Sequence, residues 1–298
     1  MMERESRRTD KIIKKVSIFS CLLLLLSGFF VSSYRIYRSI VISNYYKQGK
    51  LISHALGGFK KDGKNITYTN TLEAFNHSIK KGSHLFELDL MLTSDKKVVA
   101  FHNYSKSVYK KLKVKNQTFT YEEFMSGKAF EKTNLQGLTP IDLKMLIDLV
   151  RKHPDTFWMP HFYFPPCADA KNTEEILKQF IKEIGAEKEL LNRMTFGVNI
   201  KEELPILKKF NLPVIHCLIE DSKKKFNSVK ANEDVLDFLL KNNIKAVSIP
   251  ARVAIKEPDL LRQLKQNKIK IYSFTVDSFT FAKKLFKLGV DVVGTNNL

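Results

Sequence analysis

From Lys50 to the C-terminus, short apolar runs alternate with segments of helical periodicity, and no other feature of the chain constrains its fold as strongly. Such alternation marks a parallel sheet or barrel. The runs predict strands near 51–55, 85–91, 98–102, 157–162, 194–198, 213–218, 246–250 and 270–276. The amphipathic stretches predict helices near 71–81, 141–152, 173–184, 201–209, 232–242, 258–267 and 278–288. Eight strands close an α/β barrel of the TIM type, (β/α)8, and a chain of 298 residues suits one such barrel plus an extra segment. The gap from Thr93 to Lys97 is too short for a helix. The expected barrel therefore lacks the crossover helix between its second and third strands. A ninth apolar piece, 290–294, has no place in this scheme. Residues 103–140 form an insertion after the third expected strand, with YEEFMSG as a short helix. Long insertions at a barrel mouth often build the substrate wall.

Ahead of the barrel, Val16 to Ser33 is apolar, uncharged and just long enough to span a bilayer. Arg4, Arg7, Arg8, Lys11, Lys14 and Lys15 precede it, and such a cluster stays on the cytoplasmic side. The organisation expected is a cytoplasmic tail over 1–15, a transmembrane anchor over 16–33, a stalk over 34–49 and a barrel over 50–298. This makes a single-pass protein of the cell membrane, N-terminus inside and barrel outside. The rival is a cleaved signal peptide, with Val31 and Ser33 before the cut; bulky neighbours and the absence of A-x-A argue against it. The formal net charge is +19, and residues 34–298 keep 44 Lys+Arg against 28 Asp+Glu, or +16. The lysines scatter along the chain without an aromatic-basic nucleic-acid motif, so no nucleic-acid partner is expected. A basic surface suits an anionic membrane or polymer. Cys167 and Cys217 carry no metal-binding spacing.

Glu87 and Asp89 stand two apart within Leu85–Met91, so on a strand both point to one face. Two acids in such an apolar strand need a partner to stay ionised. Lysines or open water would serve, and so would a divalent cation with oxygen ligands. His54 and His102 end the first and third expected strands, bracketing the acids in chain order. One imidazole can deprotonate a nucleophile while the other protonates a leaving alkoxide. All strand ends of a parallel barrel reach one mouth, where these four residues are the parts for metal-assisted cleavage of a phosphate ester. Gly57 and Gly58 let backbone approach a phosphate closely. Asn70 opens a helix that begins TLEAF and reads as its N-cap.

The stretch from Leu51 to Asn103 resembles the glycerophosphodiester phosphodiesterase family. That family shows HRG, then ENTLEAF, then an E-x-D motif followed by T-x-D-G, then VVxHD. This chain has His54-Ala55-Leu56-Gly57-Gly58, then Thr69-Asn70-Thr71-Leu72-Glu73-Ala74-Phe75, then Glu87-Leu88-Asp89, then Val98-Val99-Ala100-Phe101-His102-Asn103. Fainter matches return at Phe274-Thr275-Val276-Asp277 and at Leu288 to Thr295. The resemblance implies a glycerophosphodiester hydrolase with His54 and His102 as acid and base, one divalent cation on Glu87 and Asp89, and Asn70 near the site. The cation is Mg²⁺, Ca²⁺, Mn²⁺ or Zn²⁺. The substrate implied is a deacylated phospholipid headgroup or a glycerol-phosphate polymer, cleaved to glycerol phosphate and an alcohol. The chain departs from the family at three places. Ala55 replaces an arginine, His161 falls where a third acidic ligand is usual, and Tyr163 falls where a lysine is usual. His161 as third ligand would favour Mn²⁺ or Zn²⁺. The same departures admit an alternative, a non-catalytic barrel that binds anionic headgroups or glycerol-phosphate polymers.

Overall fold

The computed structural model describes residues 27–102, 119–131, 135–162, 170–198, 202–217 and 229–298. The chain divides into two compact units, Met1–Asn44 and Tyr45–Leu298. The first is described over 27–44, where it is helical, and exposes Phe29, Phe30, Val31, Tyr34, Ile36, Tyr37 and Ile40. Among the described residues no helix is long and apolar enough to cross a membrane. Most of the expected span, residues 16–26, lies outside them, as do Tyr163 and Cys167. Helix also continues to residue 47, through most of the expected stalk.

The second unit is an α/β barrel. Its strands are β1 (Leu51–Ser53), β2 (Leu85–Leu92), β3 (Phe157–Phe162), β4 (Phe196–Val198), β5 (Val214–Cys217), β6 (Ala246–Pro250), β7 (Lys270–Phe274) and β8 (Val292–Thr295). Each pairs in parallel with the next, and β8 returns to β1 through Leu51↔Val293, Ile52↔Gly294 and Ser53↔Thr295. The ring is nearly closed, with a single ladder pair at two seams, Ser53↔Phe86 between β1 and β2 and His161↔Gly197 between β3 and β4.

Two expectations need correction here. Val98–Ala100 is not a barrel strand: it runs antiparallel to the end of β2, pairing Leu90↔Ala100 and Leu92↔Val98. The five residues between them allow only a hairpin, because a parallel return requires a crossover of a dozen residues or more. The eighth barrel strand is instead the apolar piece left unplaced, now β8. No crossover helix is missing either. Helices Leu72–Lys80, Leu143–Lys152, Ala170–Ile184, Glu203–Lys209, Val229–Lys241, Ala251–Lys256 with Pro258–Gln266, and Phe279–Lys287 fill the seven connections in turn.

The helices start and pack for local reasons. Asp142 caps Leu143–Lys152 by accepting from the Met145 amide at 2.8 Å, and Leu143, Leu146, Ile147 and Val150 form its buried stripe. β2 is buried on both faces, as in barrels wrapped by helices. Its outward Phe86 meets Phe75 at 4.9 Å and Trp158 at 5.0 Å, while Phe75 stacks on Trp158 at 5.5 Å. Inside the barrel, Ile52, Met159, Ile215 and Tyr272 form an apolar layer, with Leu85 beside them. The two-residue period that puts Leu85 in this layer places Glu87 and Asp89 above it, at the mouth. A second cluster, with Phe101, Phe124 and Phe130 at its centre, joins the hairpin Phe59–Lys61/Lys64–Ile66 to the insertion after Val98–Ala100. Within that insertion Tyr121–Met125 is helical, as expected, behind a Thr120/Glu123 capping box.

The aromatic stack predicts a stability contrast. Phe75→Ala should cost about 3–5 kcal/mol, because nothing can refill a fully buried ring site. Phe157→Ala, half exposed, should cost about 0.5 kcal/mol. Denaturant unfolding of both variants checks this, and equal losses would contradict the packing described.

Candidate active site at the barrel mouth

β1 is only three residues long, and the chain leaves it through the single 3₁₀ turn His54–Leu56. Ala55 and Leu56 take left-handed φ values of 48° and 65°. This bend aims the Ala55 amide at Glu87, donating to its Oε2 at 2.6 Å. Gly57 follows at φ 97°, where a Cβ would overlap the Ser78 hydroxyl. A Cβ on Gly58 would lie 2.8 Å from the Asn296 carbonyl. Both glycines are thus required by packing beneath the turn.

His54 is buried to 8% exposure, edge-on to Tyr68 at 4.8 Å and parallel to Phe274 at 6.3 Å. Its Nδ1 lies 3.2 Å from Asn296 Oδ1. The Asn296 amide is itself oriented by Asp277, whose Oδ2 accepts from Nδ2 at 3.1 Å and whose Oδ1 accepts from the Asn296 backbone N–H at 2.7 Å. With Asn296 Nδ2 committed to Asp277, Oδ1 must accept, so Nδ1 of His54 is the protonated nitrogen. Nε2 stands 3.8 Å from Glu87 Oε2.

Asn70 does not cap the helix, whose N-cap is Thr71, but it stands beside the acids, near the site as the resemblance implies. Fully buried, it grips Asp89 twice: Oδ1 accepts from the Asp89 amide and Nδ2 donates to Asp89 Oδ2, each at 3.0 Å. Strand β3 is in register with β2 through Asp89↔His161, which brings the His161 imidazole alongside the acids. Its Nδ1 is 3.8 Å from Glu87 Oε1 and 3.7 Å from Asp89 Oδ1. His102 arrives by the hairpin: the Phe101 amide donates to the Asp89 carbonyl at 2.9 Å, leaving His102 at the rim with Tyr68 at 6.0 Å. His54, Glu87, Asp89, His102 and His161 all line one cavity of about 600 Å³.

The two acids are held unequally. Burial raises the Glu87 carboxyl, and the neighbouring Asp89 charge raises it further, against the pull of His54, His161 and the Ala55 N–H. Burial would also raise Asp89, but His102, His161 and His54 outweigh it and hold its carboxyl well below the usual range. Burial lowers the His102 imidazole, and the nearby Asp89 only partly offsets this. A divalent cation fits this arrangement. One ligand atom each from Glu87, Asp89 and His161 lie within 4.8 Å of one another, and the added positive charge would relieve the Glu87–Asp89 repulsion.

Asn296 and Tyr68 were not found by motif reading, and Asp277 fell in a fainter motif without a role assigned to it. A position just past the end of a barrel strand faces the mouth, and that rule would have flagged Asn296 had 290–294 been placed as β8.

Three comparisons with known proteins bear on this site. A sequence model of the glycerophosphoryl diester phosphodiesterase family matches residues 58–298. Lysophospholipase D GDPD1 of Rattus norvegicus is 30% identical over 83 residues, as is that of Mus musculus. The match takes in 28% of this chain, which spans only 26% of the length of those relatives. Among solved structures, a glycerophosphodiester phosphodiesterase from Parabacteroides distasonis aligns with TM-score 0.62 at 16% identity, over 83% of this chain and 92% of its own. One from Thermotoga maritima gives 0.58 at 20% identity, over 83% and 94%. A phosphodiesterase of Oleispira antarctica, solved in complex with the product sn-glycerol-3-phosphate, gives 0.56 at 18%, over 83% and 92%. At these identities the structures attest the fold.

The Asn70 clamp is testable. Asn70→Ala should leave Asp89 free to turn and weaken Mn²⁺ binding about 10–100-fold, as loss of an outer partner of a metal ligand does. Calorimetric titration with Mn²⁺ measures it, and unchanged affinity in a folded variant would deny Asn70 that role.

Proposed function

Because the chain belongs to the glycerophosphoryl diester phosphodiesterase family, we propose that its barrel mouth hydrolyses glycerophosphodiesters to glycerol phosphate and an alcohol. The observation that carries this is the convergence of two imidazoles, His54 and His102, on the rim of a cavity that also holds Glu87, Asp89 and His161. Glu87, Asp89 and His161 would hold a divalent cation, which supplies positive charge to the phosphate as a Lewis acid.

The remaining work falls to the chain's own groups. His54 has its Nδ1 proton fixed on Asn296, so its Nε2 takes or returns a proton on the cavity side. Burial lowers the His102 imidazole, which favours the form that accepts a proton from the attacking hydroxyl. The two exchange roles, one receiving the nucleophile's proton while the other protonates the leaving alkoxide. The nucleophile is water or, as in related phospholipase C barrels, the substrate's own neighbouring hydroxyl, which expels the alcohol and leaves a cyclic phosphate that water then opens. Phe274 and Tyr68 pack the His54 ring and limit water around it.

The second reading, a non-catalytic binding barrel, draws on Ala55: it is fully buried and offers the site only its backbone N–H, where the family usually has arginine. Release of glycerol 3-phosphate from glycerophosphodiesters decides between them, assayed with Mg²⁺, Ca²⁺, Mn²⁺ and Zn²⁺ in turn. Turnover should vanish with chelator and return with metal. His54→Ala and His102→Ala should each lose about 10²–10⁴-fold in rate while the fold survives. No release with any ion would leave the binding barrel standing, and near-wild-type rates in either variant would remove the histidines from the chemistry.

We propose further that the chain is a single-pass membrane protein, with 1–15 inside, 16–33 spanning, 34–49 as the stalk and the barrel outside. The basic residues before Val16 and the uncharged run after it support this, as do the exposed apolar side chains from Phe29 to Ile40. Protease added to intact cells should digest the barrel and spare only the tail. A barrel protected until the cells are lysed would reverse the orientation, and a soluble mature form starting near Tyr34 would mean a cleaved signal peptide.

A further inference from the structure

Tyr68 stands in backbone space that bulky residues rarely occupy. Its φ is 57°, left-handed, and two residues on Asn70 has φ 50°. Such conformations persist where the surrounding structure fixes them, and they cluster at functional sites. Both flanks of Tyr68 are fixed. On one side Ile66 is buried in the apolar cluster that includes Phe101, the neighbour of His102. On the other, the Asn70 amide donates to the Ala55 carbonyl at 3.1 Å, and Ala55 is the neighbour of His54. The segment 66–70 thus joins the backbone that carries one imidazole to the backbone that carries the other.

The side chain repeats this link at the mouth, where the Tyr68 ring lines the cavity with both histidines. It meets His54 at 4.8 Å with 89° between the planes, and His102 at 6.0 Å with 63°. Both separations lie in the range of edge-to-face aromatic pairs. Under the hydrolysis proposed above, on which this inference rests, acid and base serve two oxygens on opposite sides of one phosphorus. Their spacing then matters as much as their presence, since a misplacement of about 1 Å can cost about 100-fold in rate. We propose that Tyr68 is a positioning residue that holds His54 and His102 at their working separation. Both contacts are made by the ring, so phenylalanine would keep them.

The test uses the full chain and reads the histidines directly. The chain has seven, and labelling Cε1 with ¹³C gives each a signal. Loss of a signal in His54→Ala or His102→Ala identifies those two. The ring is removed in Tyr68→Leu and in Tyr68→Asn; asparagine is at ease at a left-handed φ, so the second variant does not depend on the fold holding a strained leucine. With metal omitted and pH fixed, relaxation dispersion should show microsecond-to-millisecond exchange at both His54 and His102 in the ring-free variants, and at neither in wild type or Tyr68→Phe. His153, packed against Phe75 at 5.1 Å, should stay unchanged and controls for general loosening. In the release of glycerol 3-phosphate, the ring-free variants should lose about 10–100-fold in kcat with KM near wild type, and Tyr68→Phe should recover most of it. Exchange at neither histidine, or at only one, overturns the proposal. So does exchange that extends to His153, which would make the ring merely structural. A rise in KM with kcat unchanged does the same, since it would make Tyr68 a substrate contact. A wild type that releases nothing loses the phosphodiesterase reading, and the exchange measurement then decides alone whether Tyr68 orders the pair. A wild type that releases product while the ring-free variants keep full kcat loses only the positioning role.

Discussion

Two carboxylates inside a parallel barrel are the constraint around which this structure is arranged. Glu87 and Asp89 are each 2% exposed, on a strand whose other face is packed under helices. Buried charge of that kind is costly unless it is paired and hydrogen-bonded. The surrounding geometry answers that cost. The left-handed bend after β1 delivers an amide to Glu87, Asn70 delivers two hydrogen bonds to Asp89, and three imidazoles ring the pair. Even so, burial and the neighbouring Asp89 charge leave the Glu87 carboxyl raised, and with Asp89 and His161 it forms a group that could hold a metal ion.

Much of this was legible in the sequence, for identifiable reasons. The E-x-D spacing on an apolar strand specifies one face without reference to anything distant. The helices were legible because each carries its own apolar stripe and, in cases such as Asp142, its own cap. The strand Val98–Ala100 was misassigned because its apolar pattern matches a barrel strand, and only the length of the Thr93–Lys97 link distinguishes a hairpin from a crossover. His102 nonetheless reaches the mouth, since a hairpin folded back from the end of β2 brings its far end to the same place.

Asn70 and Asn296 show where sequence alone fell short. A lone asparagine before a helix has the signature of a cap, and nothing local separates that from a clamp on a strand 19 residues later. Asn296 is 242 residues from the histidine it orients. Such pairings exist only once strand order is known, and the order was incomplete while β8 was unplaced.

The pairing of His54 with Asn296 also has a kinetic side. It bridges the first and last strands of the barrel, so it forms only when the ring closes. Contacts this far apart in sequence carry the greatest loop-closure cost and tend to arrive late in folding. Partly folded chains, with β2, β3 and their helices already docked, would hold the carboxylates but leave the His54 imidazole free to rotate. Under the proposed chemistry, competence is thereby tied to completion of the fold.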